Sequence, residues 1–287
     1  MKAIFEKGAT FIWKNARLLE RAIFELNFFS GSPGHVLEIL RTYQNDDGGF
    51  GHALEPDLRC PDSQPLFVEF ALRTMYDCGL REAEMANKAC GFLSRHADFE
   101  VGIPLIFPSS RLYPRAAHMD SPYPEQPSME RLTSLVGLVC WQRISHPWLS
   151  QAIEICIQYI TRVSFNDAHT IMNAFCLVEA LSQERNVDSL FSKLAEDLNK
   201  ASFFNLDPQA KTYGLTPLTF APSPNAYCRR IFTDTQIEHN LTALEAQQEL
   251  DGGWPIQWEP PSEMPHLAWR AYKTVMALST LRAYGRI

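Results

Sequence analysis

Apolar residues recur along this chain at helical spacing almost without interruption. Ile12, Ala16, Leu19, Ile23 and Leu26 share one helical face, and Lys14, Arg17, Arg21 and Glu25 fill the opposite one. Ser32-Pro33 reads as an N-cap followed by proline in the first turn, so a second helix is expected to run to about Gln44. The same periodicity predicts helices near 65–79, 81–96, 128–144, 147–163, 166–183, 187–203, 233–248 and 266–284. Strand-like alternation is scarce. Helices in this number with mostly short links point to helical hairpins. Longer irregular stretches near 45–64, 98–127, 204–232 and 249–265 carry most of the notable polar residues.

An internal repeat sharpens this picture. Gln44-Asn45-Asp46-Asp47-Gly48-Gly49-Phe50 matches Gln248-Glu249-Leu250-Asp251-Gly252-Gly253-Trp254. At the same offset Glu55-Pro56 lies over Glu259-Pro260, and Pro61 over Pro265. Leu37 and Leu40 lie over Leu241 and Leu244. A looser pair links Pro104–Phe107 with Pro217–Phe220, each followed by a Tyr-x-Arg, at Tyr113-Pro114-Arg115 and Tyr227-Cys228-Arg229. The chemistry of the main motif is structural. A glutamine can bond backbone groups at a neighbouring helix end, Gly-Gly permits positive φ and close approach, and the aromatic ring fills the space behind.

The Q-x-x-D-G-G-[FW] segments resemble the QW-type repeats of the terpenoid cyclase and protein prenyltransferase superfamily. That resemblance implies an all-α fold, an α/α toroid of five or six helical hairpins in one domain spanning 1–287, with a central cavity. It also implies an enzyme working by carboxyl acid–base chemistry on a prenyl-type or largely apolar substrate. The family's own catalytic motifs are absent. There is no D-x-D-D, no D-D-x-x-D and no Asp-x-Cys zinc pattern. A carbohydrate-active hydrolase or lyase using paired carboxylates is the alternative, since helical toroids also host those. A non-catalytic binding scaffold is a third reading.

Candidate chemistry concentrates in the first repeat, where His52, Glu55, Asp57 and Arg59 fall within one short loop. Asp57 or Glu55 is the expected general acid, and Glu259 the second carboxylate. His52, Arg59, Arg115, Arg229 and Arg230 are expected to bind substrate, with Arg59 also tuning the neighbouring acid, and the competing reading of the 52–59 charges is salt bridges and helix caps on the rim. Arg115, Arg229 and Arg230 are expected as clamps for an anionic group, with pairing to the loop acids Asp120, Asp207 or Asp234 as their alternative. Asp167 reads as an N-cap, and His169 and Asn173, one turn apart on the same face, are candidates to face the cavity or to form a satisfied core pair.

Composition changes the picture only by exclusion. Apolar residues make up 46% and charged residues 21%, the balance of a folded chain. A net charge of −7 argues against nucleic acid as the main partner, so a small molecule is the expected one. No apolar run is long enough to span a membrane, and Glu6 and Lys7 stand where a leader peptide needs apolar residues. A cytoplasmic protein is expected. The seven dispersed cysteines read as reduced thiols, and neither they nor the histidines show metal-ligand spacing, so no cofactor and no metal are expected.

Overall fold

The computed structural model describes residues 2–287 and is all-helical. In chain order the helices are α1 (Lys2–Asn15), α2 (Leu18–Phe28), α3 (Pro33–Arg41), α4 (Pro65–Asp77), α5 (Ala83–His96), α6 (Met129–Trp141), α7 (Pro147–Arg162), α8 (Ala168–Leu181), α9 (Asp188–Leu198), α10 (Pro217–Phe220), α11 (Asp234–Ala246) and α12 (Glu263–Ala283). Among the described residues extended pairing is limited to isolated bridges. No described helix is long and apolar enough to cross a membrane.

Packing divides the chain into two compact units. One is Leu40–Ser202; the other joins the chain up to Ile39 with Phe203–Ile287. In the middle unit α6 is the axis, packed against α4, α5, α7 and α8. Nine consecutive residues of α6, Arg131 to Val139, are buried. Gly137 makes this possible, because a Cβ there would lie 2.5 Å from the Asn173 carbonyl of α8. In the terminal unit α12 packs against α1, α2 and α11.

Where periodicity predicts one helix through Ile12–Leu26, the chain folds two. Arg17 adopts extended geometry between α1 and α2, and its guanidinium grips Glu20 in the first turn of α2, with Nη2–Oε1 2.5 Å. The break keeps the apolar stripe in phase while letting both short helices meet α12. The expected start at Ser32-Pro33 matches α3, with the Ser32 hydroxyl accepting from the Gly34 amide at 3.2 Å.

Each repeated segment builds the same turn. Gln44 Nε2 donates to the Gly48 carbonyl and to the Met85 carbonyl of α5, both at 3.0 Å. Gln248 Nε2 donates to the Gly252 carbonyl and to the Ile4 carbonyl of α1, both at 2.9 Å. Asp47 and Asp251 each accept from the amide of the second glycine, at 2.9 and 3.0 Å. Gly48 and Gly252 have φ of +86° and +95°, and a Cβ on them would strike the carbonyls of Lys88 and Lys7. Behind them Gly49 meets Phe92 and Gly253 meets Phe11. Thus three contacts on α5 (Met85, Lys88, Phe92) recur at identical spacing on α1 (Ile4, Lys7, Phe11). The aromatic that ends each motif, Phe50 or Trp254, is buried.

The glycine contact is open to test. Gly252→Ala combines a left-handed Cβ with a backbone collision, so its expected cost is about 2–4 kcal/mol. Gly79, also at positive φ but with open space around it, is the control; Gly79→Ala is expected to cost about 1 kcal/mol. Urea midpoints compare the two, and equal losses would show that the Lys7 carbonyl does not restrict position 252.

Candidate functional site

The long loops of the middle unit are tied together by their backbones. Arg59 N donates to the Pro114 carbonyl at 2.9 Å and Ala116 N to the Asp57 carbonyl at 2.8 Å. Gln64 fastens a third point, accepting from the Phe107 amide at 2.6 Å and donating to Ser109 Oγ at 3.1 Å. This weave brings Glu55, Asp57, Arg59 and Arg115 into one loop layer. Glu55 and Asp57 are 5% and 2% exposed, and a Glu55 oxygen accepts from the Asp57 amide at 2.9 Å. Arg59 is exposed, and Arg115 pairs with Asp120 at 2.7 Å. His52 is also exposed, in left-handed geometry, with Nε2 2.9 Å from Asn45 Oδ1.

Glu259, Arg229 and Arg230 belong to the terminal unit. Glu259 is exposed. Arg229 is engaged by Asp234 and by the Phe232 carbonyl, and Arg230 lies 5.0 Å from the Tyr227 ring centre. The two Tyr-x-Arg segments differ locally. Tyr227 opens a 3₁₀ turn, whereas Tyr113 follows one.

A second polar group, which the loop motifs do not signal, lies among α4, α6 and α8 of the middle unit. Asn173, fully buried on α8, donates through Nδ2 to Glu69 Oε1 of α4 at 2.9 Å. Its Oδ1 accepts from Arg73 Nη1 at 3.3 Å, and Arg73 also pairs with Asp77 at 2.8 Å. One turn further, Tyr76 Oη donates to Glu179 Oε2 at 2.5 Å. At the start of α8 Asp167 caps the helix, accepting from the His169 amide at 2.7 Å, and holds His169 Nδ1 at 3.0 Å. Glu130 of α6 accepts from the Thr170 hydroxyl at 3.0 Å. His169 and Asn173, both singled out by the sequence, and Asp167, the expected N-cap, therefore enter the same cluster as Glu69, Arg73, Arg131 and Glu130, which no loop motif marks.

Electrostatics separates the three carboxyl groups. Burial pushes Glu69 above the ordinary carboxylate range, against the pull of His169 and Arg131. Burial likewise raises Glu130, against hydrogen bonds from Thr170 and the Asn166 amide. Burial also works to raise Asp167, but bonds from the His169 ring and amide and the His169 charge overcome it, and the net shift is downward. Burial depresses Arg131, opposed by Glu69 and other nearby acids. One cluster thus holds a carboxyl biased toward its acid form beside one biased toward its ionised form.

The sequence carried a signal for this group. In α4, Glu69, Arg73 and Tyr76 are spaced one turn apart on one face, and in α8 His169, Asn173, Cys176 and Glu179 repeat that pattern. Among the described residues no cluster of three or more His, Cys, Asp or Glu is arranged to hold a metal ion. The cysteines carry free thiols, and burial pushes those of Cys90 and Cys156 up to about 12.

No family model and no curated protein matches the chain. A crystal structure of a protein from Actinoplanes is similar over 99% of both chains, with a TM-score of 0.58 and 14% sequence identity. At that identity the likeness carries the fold alone.

The Glu69 shift has a stability signature. A folded-state value raised above the unfolded one contributes stability below the ordinary carboxylate range, which is lost as pH rises through the raised value. Glu69→Gln retains an acceptor for Asn173 and removes the ionisable group. Measured against wild type, its denaturation midpoint is expected to be lowest at about pH 4 and to rise steadily as pH is raised to about 8. A constant gap across that range would refute the assignment.

Proposed function

We propose that this chain is an acid–base enzyme built as an α/α toroid, and that it cleaves a bond in a carbohydrate or similarly hydroxyl-rich substrate. Two features support the toroid. Helices buried on nearly every side (α6, α8) alternate in sequence with helices that keep a solvent face (α5, α7, α9). The first helix, α1, also receives the Gln248 turn as α5 receives the Gln44 turn, each through one backbone carbonyl, the recurrence expected of successive hairpins in a toroid.

The observation that carries the reaction type is the geometry of one cluster, in which Asn173 holds Glu69 at 2.9 Å and Asp167 holds the His169 ring at 3.0 Å, and the opposed bias of the two carboxyls agrees with it. Glu69 is the proton donor to a leaving oxygen. Asp167, bound to His169 Nδ1, favours the tautomer whose Nε2 accepts a proton, which makes His169 the general base: it takes the proton from a water that attacks the carbon losing the leaving oxygen or, in a uronate, from the carbon beside the carboxylate as a double bond replaces the broken C–O bond. Asn173 and Arg73 hold Glu69 in place, while Arg131 supplies positive charge beside it. Donors and acceptors of this density suit a polyol better than a hydrocarbon, and a charged uronate would find Arg131 and the acid form of Glu69 as partners. In this reading Glu55 and Asp57 line the loop layer rather than transfer the proton.

The prenyl-type reading has its own support in the terminal unit. There Tyr213, Trp258, Trp269 and Tyr272 form a chain of edge-to-face rings with centroids 5.2–5.7 Å apart. Such a wall suits an apolar chain, and also the face of a sugar.

Oligosaccharides, with and without uronic acids, incubated with the purified protein provide the test. New reducing ends are expected. An ultraviolet-absorbing unsaturated product would mark elimination, and its absence hydrolysis. Turnover is expected to be bell-shaped in pH, falling on the alkaline side as Glu69 ionises. Glu69→Gln and His169→Ala should each lower kcat by about 10²–10⁴-fold with folding retained. Full activity in Glu69→Gln, or turnover of a prenyl diphosphate and of no saccharide, would overturn the reading.

A further inference from the structure

Apart from these residues, the terminal unit carries a groove of about 320 Å³ lined by Trp13, Glu25, Phe29 and Gly31. Trp13 comes from α1 and Glu25 from α2, while Phe29 caps α2. The two lining rings are anchored on one buried residue. Trp13 meets Phe24 edge-on at 5.8 Å, and Phe29 meets the same ring edge-on at 5.4 Å. Phe24 is fully buried, so both outer rings are held at the surface by a fixed base, 43% and 54% exposed. The chain then folds back flush against α2. Gly31 N donates to the Glu25 carbonyl at 3.0 Å, and a Cβ on Gly31 would lie 2.7 Å from that backbone. Glu25 carries the only charge among the lining residues. Its carboxylate is partly exposed, with His35 Nδ1 3.8 Å away.

A tryptophan, a phenylalanine and a carboxylate border one small concavity. Aromatic faces attract a positive charge through their quadrupole, most strongly when the cation is weakly hydrated, and the carboxylate adds direct attraction. We propose that this groove binds a compact organic cation of the alkylammonium class. An anion would meet Glu25, and a neutral apolar group would leave that charge unused. A volume near the lower end for small-molecule sites fits one ammonium head group rather than a long chain. The site is independent of the acid–base cluster, and its failure leaves that reading untouched.

Tetramethylammonium chloride is the probe, titrated into the full-length protein at about pH 8 against sodium chloride at matched ionic strength. Amide and indole NMR signals report the contact. Saturable shifts are expected at the Trp13 indole and the Gly31 amide. Glu25→Gln, on a partly exposed side chain, should weaken binding about tenfold. Phe29→Leu, which keeps the groove apolar, should weaken it as well. Tert-butanol, a neutral molecule of similar shape, should leave these signals unmoved. The proposal is overturned if the signals do not saturate, if sodium chloride or tert-butanol reproduces them, or if Glu25→Gln binds as tightly as the wild type.

Discussion

The double hydrogen bond made by a glutamine amide at the end of a helix is the contact from which the rest of each unit is set. A primary amide has two donor hydrogens. Gln44 uses its nitrogen on the turn that follows it and on a carbonyl of α5; Gln248 does the same for its own turn and for α1. One side chain therefore fixes both the local turn and the helix that packs on it. The glycine at positive φ completes the arrangement, because its missing Cβ is what lets the turn reach the backbone of that helix. The aspartate closes the turn by accepting the next amide. In the terminal unit Arg270 adds a further brace, with Nη1 and Nη2 on Asp251 at 2.8 and 2.7 Å. In the middle unit the Ser63 hydroxyl takes that place on Asp47, at 2.7 Å.

Where Gly137 lets α6 and α8 approach closely, side chains near their contact have little room and little water. Polar residues in such a place are costly unless they satisfy one another. Asn173 resolves this for two charges at once, donating to Glu69 and accepting from Arg73. The amide is neutral, so it links a carboxyl and a guanidinium without itself changing charge. Glu69 nonetheless remains short of full compensation, which is why burial outweighs its cationic neighbours. Asp167 caps the helix N-terminus and bonds the His169 ring directly, and it shifts the other way. The contrast between the two carboxyls thus arises from position on a helix, and from the number of donors each position supplies.

The helices, their approximate limits and the twin motif were legible in the sequence, because each depends on local spacing. The N-cap roles of Ser32 and Asp167 followed from residue type and position. The competing pairings of Arg115 with Asp120 and of Arg229 with Asp234 were also readable, since each joins residues five apart. The break at Arg17 was not, because the apolar stripe continues through it in phase. His169 and Asn173 stood out as polar residues on an apolar helix, while Glu69, which has the same character, was overshadowed by the denser charges of the loop at 52–59.

What the sequence determined by itself is most of the helices and the turn chemistry that follows two of them, because these rest on contacts between residues a few positions apart. The meeting of Glu69 with Asn173, across more than a hundred residues of chain, was decided by the tertiary structure. So was the opposite bias of Glu69 and Asp167. A carboxyl's proton affinity depends on how much water the packed helices leave around it and on which donors they bring within reach, and neither quantity exists until the helices have met.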